Sequence, residues 1–291
     1  MANTRELRRR IKSVKNTSQI TKAMQMVAAA KMRRAQDQAT SGRPYQENLM
    51  VSLSRLLPKV NLESHPLLMG NGSKTTGVVL LSTDRGLVGA LNTNLFRTVS
   101  TANFAEGTYF YTIGKKGRVF VVKLGKALKA DFENVDLVTF RQAKQLSKLI
   151  MDSFKQKEVG EVYLIYPHFV STLKQEPRKV KLLPIDLQSV FGNEVKQSGS
   201  NDGDNGSEFL FEPNADDLLD YLLVHHLEEQ IYQAMLETKA SQYSAQMIAM
   251  KNATDNAKEL VEDLKLTYNQ TRQAAITTEL LEITTAQVAM Q

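Results

Sequence analysis

Ile20-Thr-Lys-Ala-Met-Gln-Met-Val-Ala-Ala-Ala-Lys31 sits in an opening stretch, residues 1–36, that has no Gly, Pro or aromatic residue. That stretch carries ten Lys and Arg against one acid, Glu6, a local charge of +9 in a chain whose total is +6. The remainder therefore totals −3. Leu7, Ile11 and Val14 recur at helical spacing, as do Ile20, Met24, Val27, Lys31 and Ala35, while Thr17 and Ser18 fall where the stripe wants apolar residues. The pattern predicts a helix from about Thr4 to Leu57, broken or kinked at Ser41-Gly-Arg-Pro44 and ended by Pro58. A long, strongly basic helix of this kind requires a partner.

The other end of the chain supplies one. From Pro213-Asn-Ala-Asp-Asp217, an acidic start suited to a helix N-terminus, no Pro or Gly follows. One helix over about Asn214 to Val288 is predicted, about 100 Å long at 1.5 Å per residue. That is too long to pack wholly on a domain of the size lying between the two helices. Two long terminal helices joined by a globular insert form an antiparallel coiled coil. Its expected seam, Ala249, Ala253, Leu260, Leu264 and Ala274, is interrupted by Asn252, Asn256, Gln270 and Thr271. So polar and small a seam is either loosely held or enclosed by other protein.

Between the helices the reading is α/β. Gly77-Val-Val-Leu-Leu-Ser-Thr83 is a continuous apolar strand of the kind buried on both faces. Thr108 to Ile113 and Glu161 to Tyr166 are similar, and helical segments fall near 91–104, 117–124 and 141–157. The alternation predicts a mostly parallel, Rossmann-like sheet, with 169–173 and 178–184 as added antiparallel edge strands. The expected organisation is a coiled-coil helix over 1–58, an α/β domain over 76–212 and a second coiled-coil helix over 213–291. Residues 196–207 form a polar loop, read as mobile, inside the middle part.

Composition removes several function classes. The chain has no Cys, which excludes disulfides and thiolate metal sites and fits a reducing compartment. No run of 18 apolar residues exists to span a membrane. The apolar run ending at Ala28-Ala-Ala30 imitates a secretory signal, but it is short, contains Gln25 and runs into Lys31-Met-Arg-Arg34; the helical pattern likewise outlasts an organellar transit peptide.

Catalytic and cofactor motifs are weak. Gly70-Asn-Gly-Ser-Lys-Thr75 has Ser73 where a phosphate loop needs Gly, and its strand follows rather than precedes it. Asp84-Arg-Gly-Leu-Val-Gly-Ala-Leu-Asn92 follows a strand and opens a helix, where backbone N–H groups are able to hold an anion; the plainer reading is a tight turn in which Asp84 and Arg85 pair locally. Asp202-Gly-Asp-Asn-Gly206 lacks calcium-loop spacing. His65, His168, His225 and His226 form no i, i+4 metal pair. Met24, Met26 and Met32 read as packing, or else as an adaptable surface against a moving partner. No metal and no cofactor is expected.

Arg9-Arg-Ile-Lys-Ser-Val-Lys-Asn-Thr-Ser-Gln-Ile-Thr-Lys-Ala-Met-Gln-Met-Val-Ala-Ala-Ala-Lys-Met-Arg-Arg-Ala35 closely resembles the amino-terminal helix of the gamma subunit family of F-type ATP synthases. Ser82-Thr-Asp-Arg-Gly-Leu-Val-Gly-Ala-Leu-Asn-Thr-Asn94 resembles that family's central motif. Ala249-Met-Lys-Asn-Ala-Thr-Asp-Asn-Ala257, Tyr268-Asn-Gln-Thr-Arg-Gln-Ala-Ala-Ile-Thr-Thr-Glu279 and Glu282 resemble its carboxyl-terminal helix. The resemblance implies a non-catalytic rotor shaft that turns inside a ring of three alpha and three beta subunits and couples transmembrane proton flow to ATP synthesis and hydrolysis. It implies an epsilon subunit and a c ring as further partners, and a peripheral place at the cytoplasmic face of the cell membrane, reached through the complex. By motif, Lys22 and Met24 resemble contacts with the moving lever of a beta subunit. Arg272, Gln273, Thr277, Glu279 and Glu282 resemble contacts with beta catch loops, and His226 and Glu228 face epsilon or the c ring. Val88 and Ala90 depart from a usual Cys and Gly, Gln242 and Gln246 from a usual Glu and Arg, and Ala286-Gln287 from a usual Gly-Ala.

Two other readings remain. A basic helix also suits nucleic acid, though it lacks aromatics for stacking and Asn or Gln set among Arg for base reading. An enzyme would use the turn from Asp84 to Asn92.

Overall fold

The computed structural model describes residues 4–56, 60, 65–186 and 214–290. They form helices α1 (Thr4–Ser41) and α2 (Arg43–Leu56), strand β1 (Thr76–Leu81), α3 (Leu91–Thr101), β2 (Tyr109–Ile113), α4 (Lys115–Lys123), β3 (Ala127–Phe132), α5 (Phe140–Lys155), β4 (Glu161–Phe169), β5 (Gln175–Leu183) and a 75-residue helix, α6 (Ala215–Ala289). The expected break falls at Gly42, between α1 and α2. The loop over 196–207, its carboxylates, Pro58 and Pro213 lie outside the described residues. The chain divides into two compact units, residues 1–30 with 246–291, and residues 31–245.

The larger unit is built on one five-stranded sheet in the order β3-β2-β1-β4-β5. β1 pairs in parallel with β2 and β4, β2 in parallel with β3, and β4 antiparallel with β5. The continuous apolar run of β1 has a direct cause. Val78 and Leu80 face a cluster with Leu95, Val99, Phe110, Val121 and Ile165, under α3 and α4. Val79 and Leu81, one residue out of phase, face Leu146, Ile150 and Phe154 of α5, Leu53 and Leu56 of α2, and Leu223, Leu227 and Ile231 of α6. Side chains alternate across a strand, so a strand covered on both faces is apolar at every position.

Two details differ from the sequence expectation. β3 was not anticipated; its alternation of Lys129 and Asp131 with half-buried Leu128, Ala130 and Phe132 suits an edge strand covered on one face only. The two expected edge strands are one, because β4 runs on to Phe169 and the turn at 170–174 leads straight into β5. α6 starts with a side-chain cap: Asn214 Oδ1 accepts from the backbone N–H of Asp217 at 2.8 Å.

The smaller unit is an antiparallel helix pair. Thr21 and Thr254 hydroxyls hydrogen-bond at 2.7 Å, Ser18 Oγ donates to Thr254 O at 3.5 Å, and Arg8 Nη2 donates to Tyr268 Oη at 3.4 Å. From Met250 onward the seam of α6 runs through Met250, Thr254, Ala257, Val261, Leu264, Tyr268 and Thr271, an alternating four-three spacing, with Ala253 half-buried beside it. Those of α1 include Leu7, Ile11, Val14, Ser18, Thr21, Gln25 and Ala28, with the same period reversed. This is a coiled-coil seam. It keeps the expected Leu7, Ile11, Val14 and Leu264, and departs from the expected stripes by one residue at Ile20, Val27 and Leu260. Ile20 and Val27 are exposed, and so is Leu260, because a 3.5-residue period carried through Leu7, Ile11 and Val14 lands on Ser18 and Thr21.

Candidate functional site

In an open parallel sheet the usual ligand crevice lies beyond the carboxyl ends of the strands where the strand order reverses. Here that place is between β1 and β4, and α6 fills it. Ser241 Oγ donates to Pro167 O at 2.9 Å, and Ser244 Oγ donates to Thr172 O at 2.6 Å. Glu237 Oε2 meets His168 Nδ1 at 2.5 Å. Residues 237, 241 and 244 share one helical face, and both serines are fully buried. Small side chains allow the helix backbone to approach the strand ends closely. On the β1 side, Asn134 Nδ2 donates to Ser82 O at 2.6 Å and to Gln242 Oε1 at 3.5 Å. Gln242 therefore has a partner within its own chain.

The turn from Asp84 to Asn92 is held as a scaffold. Asp84 Oδ1 accepts from the backbone N–H of Lys115 at 2.8 Å, Asn92 Nδ2 donates to Thr83 Oγ1 at 2.7 Å, and Thr83 Oγ1 donates to Arg85 O at 2.7 Å. Leu87, at φ 64°, and Gly89, at φ 56°, take left-handed conformations that bend the chain back, so Val88 packs with Leu91 and with Ala245 of α6. Asp84 thus pairs with the start of α4 rather than within the turn, which is braced locally by Asn92 and Thr83. The loop at 70–75 is also structural, since Asn71 Nδ2 donates to Phe154 O and Val159 O, both at 2.7 Å.

No group of three metal-competent side chains occurs among the described residues. His65 is one of several histidines paired to a carboxylate: its Nδ1 accepts from the N–H of Leu67, which leaves Nε2 to donate to Asp220. His225 bonds Tyr45 Oη at 2.6 Å through Nε2 and lies stacked on Tyr221. His226 is different. It is 2% exposed, its Nε2 has no partner, and burial, with the charge of His225, pushes its pKa down to about 4.

The remaining polar cluster links α1 to α6 inside the larger unit. Lys31 Nζ and Asp136 Oδ2 pair at 2.7 Å, and Tyr243 Oη donates to Asp136 Oδ1 at 3.0 Å. The Lys31 hydrogen bond holds the Asp136 carboxyl below its usual range, and burial together with Asp136 pushes the Tyr243 hydroxyl up. Sequence reading did not find this cluster. Asp136 is about a hundred residues distant from both partners, and no motif marks it.

The sequence-derived contact residues fall into three groups. Lys22 is exposed and donates to Gln25 Oε1 at 3.3 Å, and Met24 is half-buried. Arg272, Gln273, Thr277, Glu279 and Glu282 are all exposed on α6. The contacts of Thr21 with Thr254 and of Arg8 with Tyr268 put Thr4 opposite residues 271–272, so no described α1 residue lies opposite Gln273, Thr277, Glu279 or Glu282. Residues 272–290 are exposed throughout and include Ile276, Leu280, Leu281, Ile283 and Val288. His226 and Glu228, by contrast, are 2% and 5% exposed and offer a partner no side-chain surface. They are buried because α6 is enclosed here on more than one side: residues 226–229 are all buried.

A family model described as ATP synthase matches residues 3–290. The ATP synthase gamma chain of Akkermansia muciniphila is 45% identical over 293 residues, and that of Methylacidiphilum infernorum 43% identical over 295, each match spanning all of both chains. Among solved structures, a chain of the Euglena gracilis mitochondrial ATP synthase OSCP/F1/c-ring assembly superposes with a TM-score of 0.68 at 20% identity, covering 99% of this chain and 94% of that one. A chain of the Tetrahymena thermophila central stalk and c-ring structure gives 0.58 at 26% identity, covering 80% and 99%. The nucleic-acid reading finds no support among these relatives.

Proposed function

Because this chain belongs to the ATP synthase gamma chain family, we propose that it is the central rotor subunit of such an enzyme, turning within a ring of three alpha and three beta subunits and itself non-catalytic. Rotation couples transmembrane proton flow to ATP synthesis and hydrolysis. The observation that carries the proposal beyond family membership is the bare end of α6. Nineteen consecutive exposed residues include five large aliphatic side chains, more apolar surface than a free helix leaves to water without a partner. A sleeve of surrounding subunits covers such an end without fixing it to any one of them.

Arg272, Gln273, Thr277, Glu279 and Glu282 on that end, with Lys22 and Met24 on α1, are the residues we assign to beta subunits. Ile20 and Val27 are exposed beside them and belong to the same surface. The +9 of the first 36 residues suits acidic loops of the ring. Assembly then weakens as ionic strength rises. The foot of α6 meets epsilon or the c ring through exposed Tyr221, with His226 and Glu228 behind it. The chain lies at the cytoplasmic face of the cell membrane and is held there through its partners; no helix of the described residues is long and apolar enough to cross a membrane.

The test is reconstitution. An alpha–beta ring is assayed for ATP hydrolysis with and without the purified chain, and unchanged turnover removes the proposal. Arg272→Ala with Glu279→Ala leaves the isolated chain's thermal melt unchanged, because both side chains are exposed, and weakens ATP-driven proton pumping in vesicles. Full pumping by the double variant contradicts the contact assignment.

A further inference from the structure

Lys239, on α6, is 3% exposed. Its ammonium donates one hydrogen bond to a protein acceptor, Asn134 O at 3.0 Å, and has no carboxylate within ion-pair distance among the described residues. An ammonium carries three donors, so two point at no described protein acceptor. A buried cation in that state is costly unless something else accepts from it. Burial accordingly pulls its pKa down to about 8.

A cavity of about 130 Å³ adjoins Lys239, lined also by Lys31, Arg34, Gln38, Asp136 and Tyr243. The one acid is already engaged: Asp136 accepts from Lys31 at 2.7 Å and from Tyr243 at 3.0 Å. Arg34 makes no hydrogen bond or ion pair with any described residue. Three cations and one carboxylate leave the walls with a net charge of about +2 when Lys239 is protonated.

We propose that this cavity is a binding site for one tetrahedral oxyanion the size of inorganic phosphate, held by Lys239 from its buried wall and by Arg34 and Lys31 from its rim. The donors match the ligand: the lining carries one guanidinium and two ammonium groups, with apolar Ala35, Leu137, Val138 and Leu236 completing the walls. Size sets the class. Pockets for cofactors and drug-sized ligands run from about 300 to 1,000 Å³, so 130 Å³ suits a free oxyanion better than a whole nucleotide. An ion there ties Lys31 and Arg34 of α1 to Lys239 of α6.

The experiment is calorimetric titration of the full-length chain at constant ionic strength. Sulfate is the main probe, since it keeps its charge across the range used, and inorganic phosphate is the second. One saturable site per chain is expected near pH 7. Lys239→Met weakens sulfate by about tenfold or more, the loss of a charge-assisted hydrogen bond. Raising the pH to about 9.5 weakens it similarly, because Lys239 then loses its proton. Arg34→Gln, an exposed position whose replacement leaves the circular dichroism unchanged, weakens it several-fold. No saturable binding overturns the proposal, and so does binding that both substitutions leave intact. Equal competition by ATP overturns the restriction to a free oxyanion.

Discussion

Ile231 and Ile276 lie on the same helix, and their replacement by Ala separates the part of α6 that holds the fold from the part that is offered to partners. Ile231 is fully buried in the main core of the larger unit. Truncation removes three carbon atoms, worth about 0.8 kcal/mol each in transfer. The cavity left behind adds more, so the expected cost is about 3–4 kcal/mol. For a domain of this size that corresponds to a melting point lower by roughly 10 °C. Ile276 is 46% exposed in the segment that has no α1 residue opposite it. Ala is a better helix former than Ile by a few tenths of a kcal/mol, so Ile276→Ala should leave the isolated chain unchanged or slightly stabilised. In the assembled ring the order reverses. Ile276→Ala lowers the affinity of the chain for an alpha–beta ring, whereas Ile231→Ala, at a temperature where it is still folded, does not. Urea denaturation followed by circular dichroism, together with a ring-binding titration, reads both quantities. A loss above about 1 kcal/mol for Ile276→Ala in the free chain, or below that for Ile231→Ala, refutes the division.

Other consequences are equally direct. Thr21→Val should cost about 0.5–1.5 kcal/mol by removing the hydrogen bond across the seam, since the Thr254 hydroxyl still donates to Met250 O, while Thr21→Val with Thr254→Val should cost less than the sum of the two single losses; additive losses in urea melts contradict the hydroxyl pairing. His226 has a folded pKa of about 4 against an ordinary value near 6.5, so the unfolded chain binds the extra proton between those values and stability falls as pH drops through that window, by about 3 kcal/mol in all. Comparing wild type with His226→Leu between about pH 7.5 and pH 4.5 isolates this contribution, and parallel pH profiles for the two contradict it. Gly117→Ala should destabilise the larger unit by about 1–3 kcal/mol, since the added carbon would lie 2.7 Å from Ser82 Oγ, the acceptor for the Gly117 N–H; an unchanged melting point contradicts that packing.

Much of the architecture was legible because its causes are local. The unbroken apolar run of β1 announces a strand covered on both faces, and the lack of Pro and Gly after Pro213 announces one long helix. β3 was illegible because its charged, half-covered pattern resembles any exposed loop. The coiled-coil seam was misplaced by one residue at Ile20, Val27 and Leu260, though not at Leu7, Ile11, Val14 or Leu264, for a more general reason. Ile20 and Val27 are the bulkier apolar residues and attract the eye, yet the helices meet through Ser18, Thr21 and Ala28. Small residues permit close approach between helices, and the large ones remain outside for other protein. Arg272, Gln273, Thr277, Glu279 and Glu282 were marked one by one by motif and lie exposed on the bare end of α6; their contacts belong to the proposal. The cluster of Lys31, Asp136, Lys239 and Tyr243 was not marked, because only the fold brings those four together. His226 and Glu228 show the opposite failure. Family resemblance put them against a partner, and the enclosure of α6 over residues 226–229 buries them.

The central claim is that this chain turns. The sequence has no cysteine, so a single one introduced at exposed Val122 on α4 gives a unique attachment point for a bead. With an alpha–beta ring fixed to a surface and ATP supplied, the bead should rotate in one direction and pause three times per turn. A stationary bead on a ring that hydrolyses ATP at full rate contradicts it.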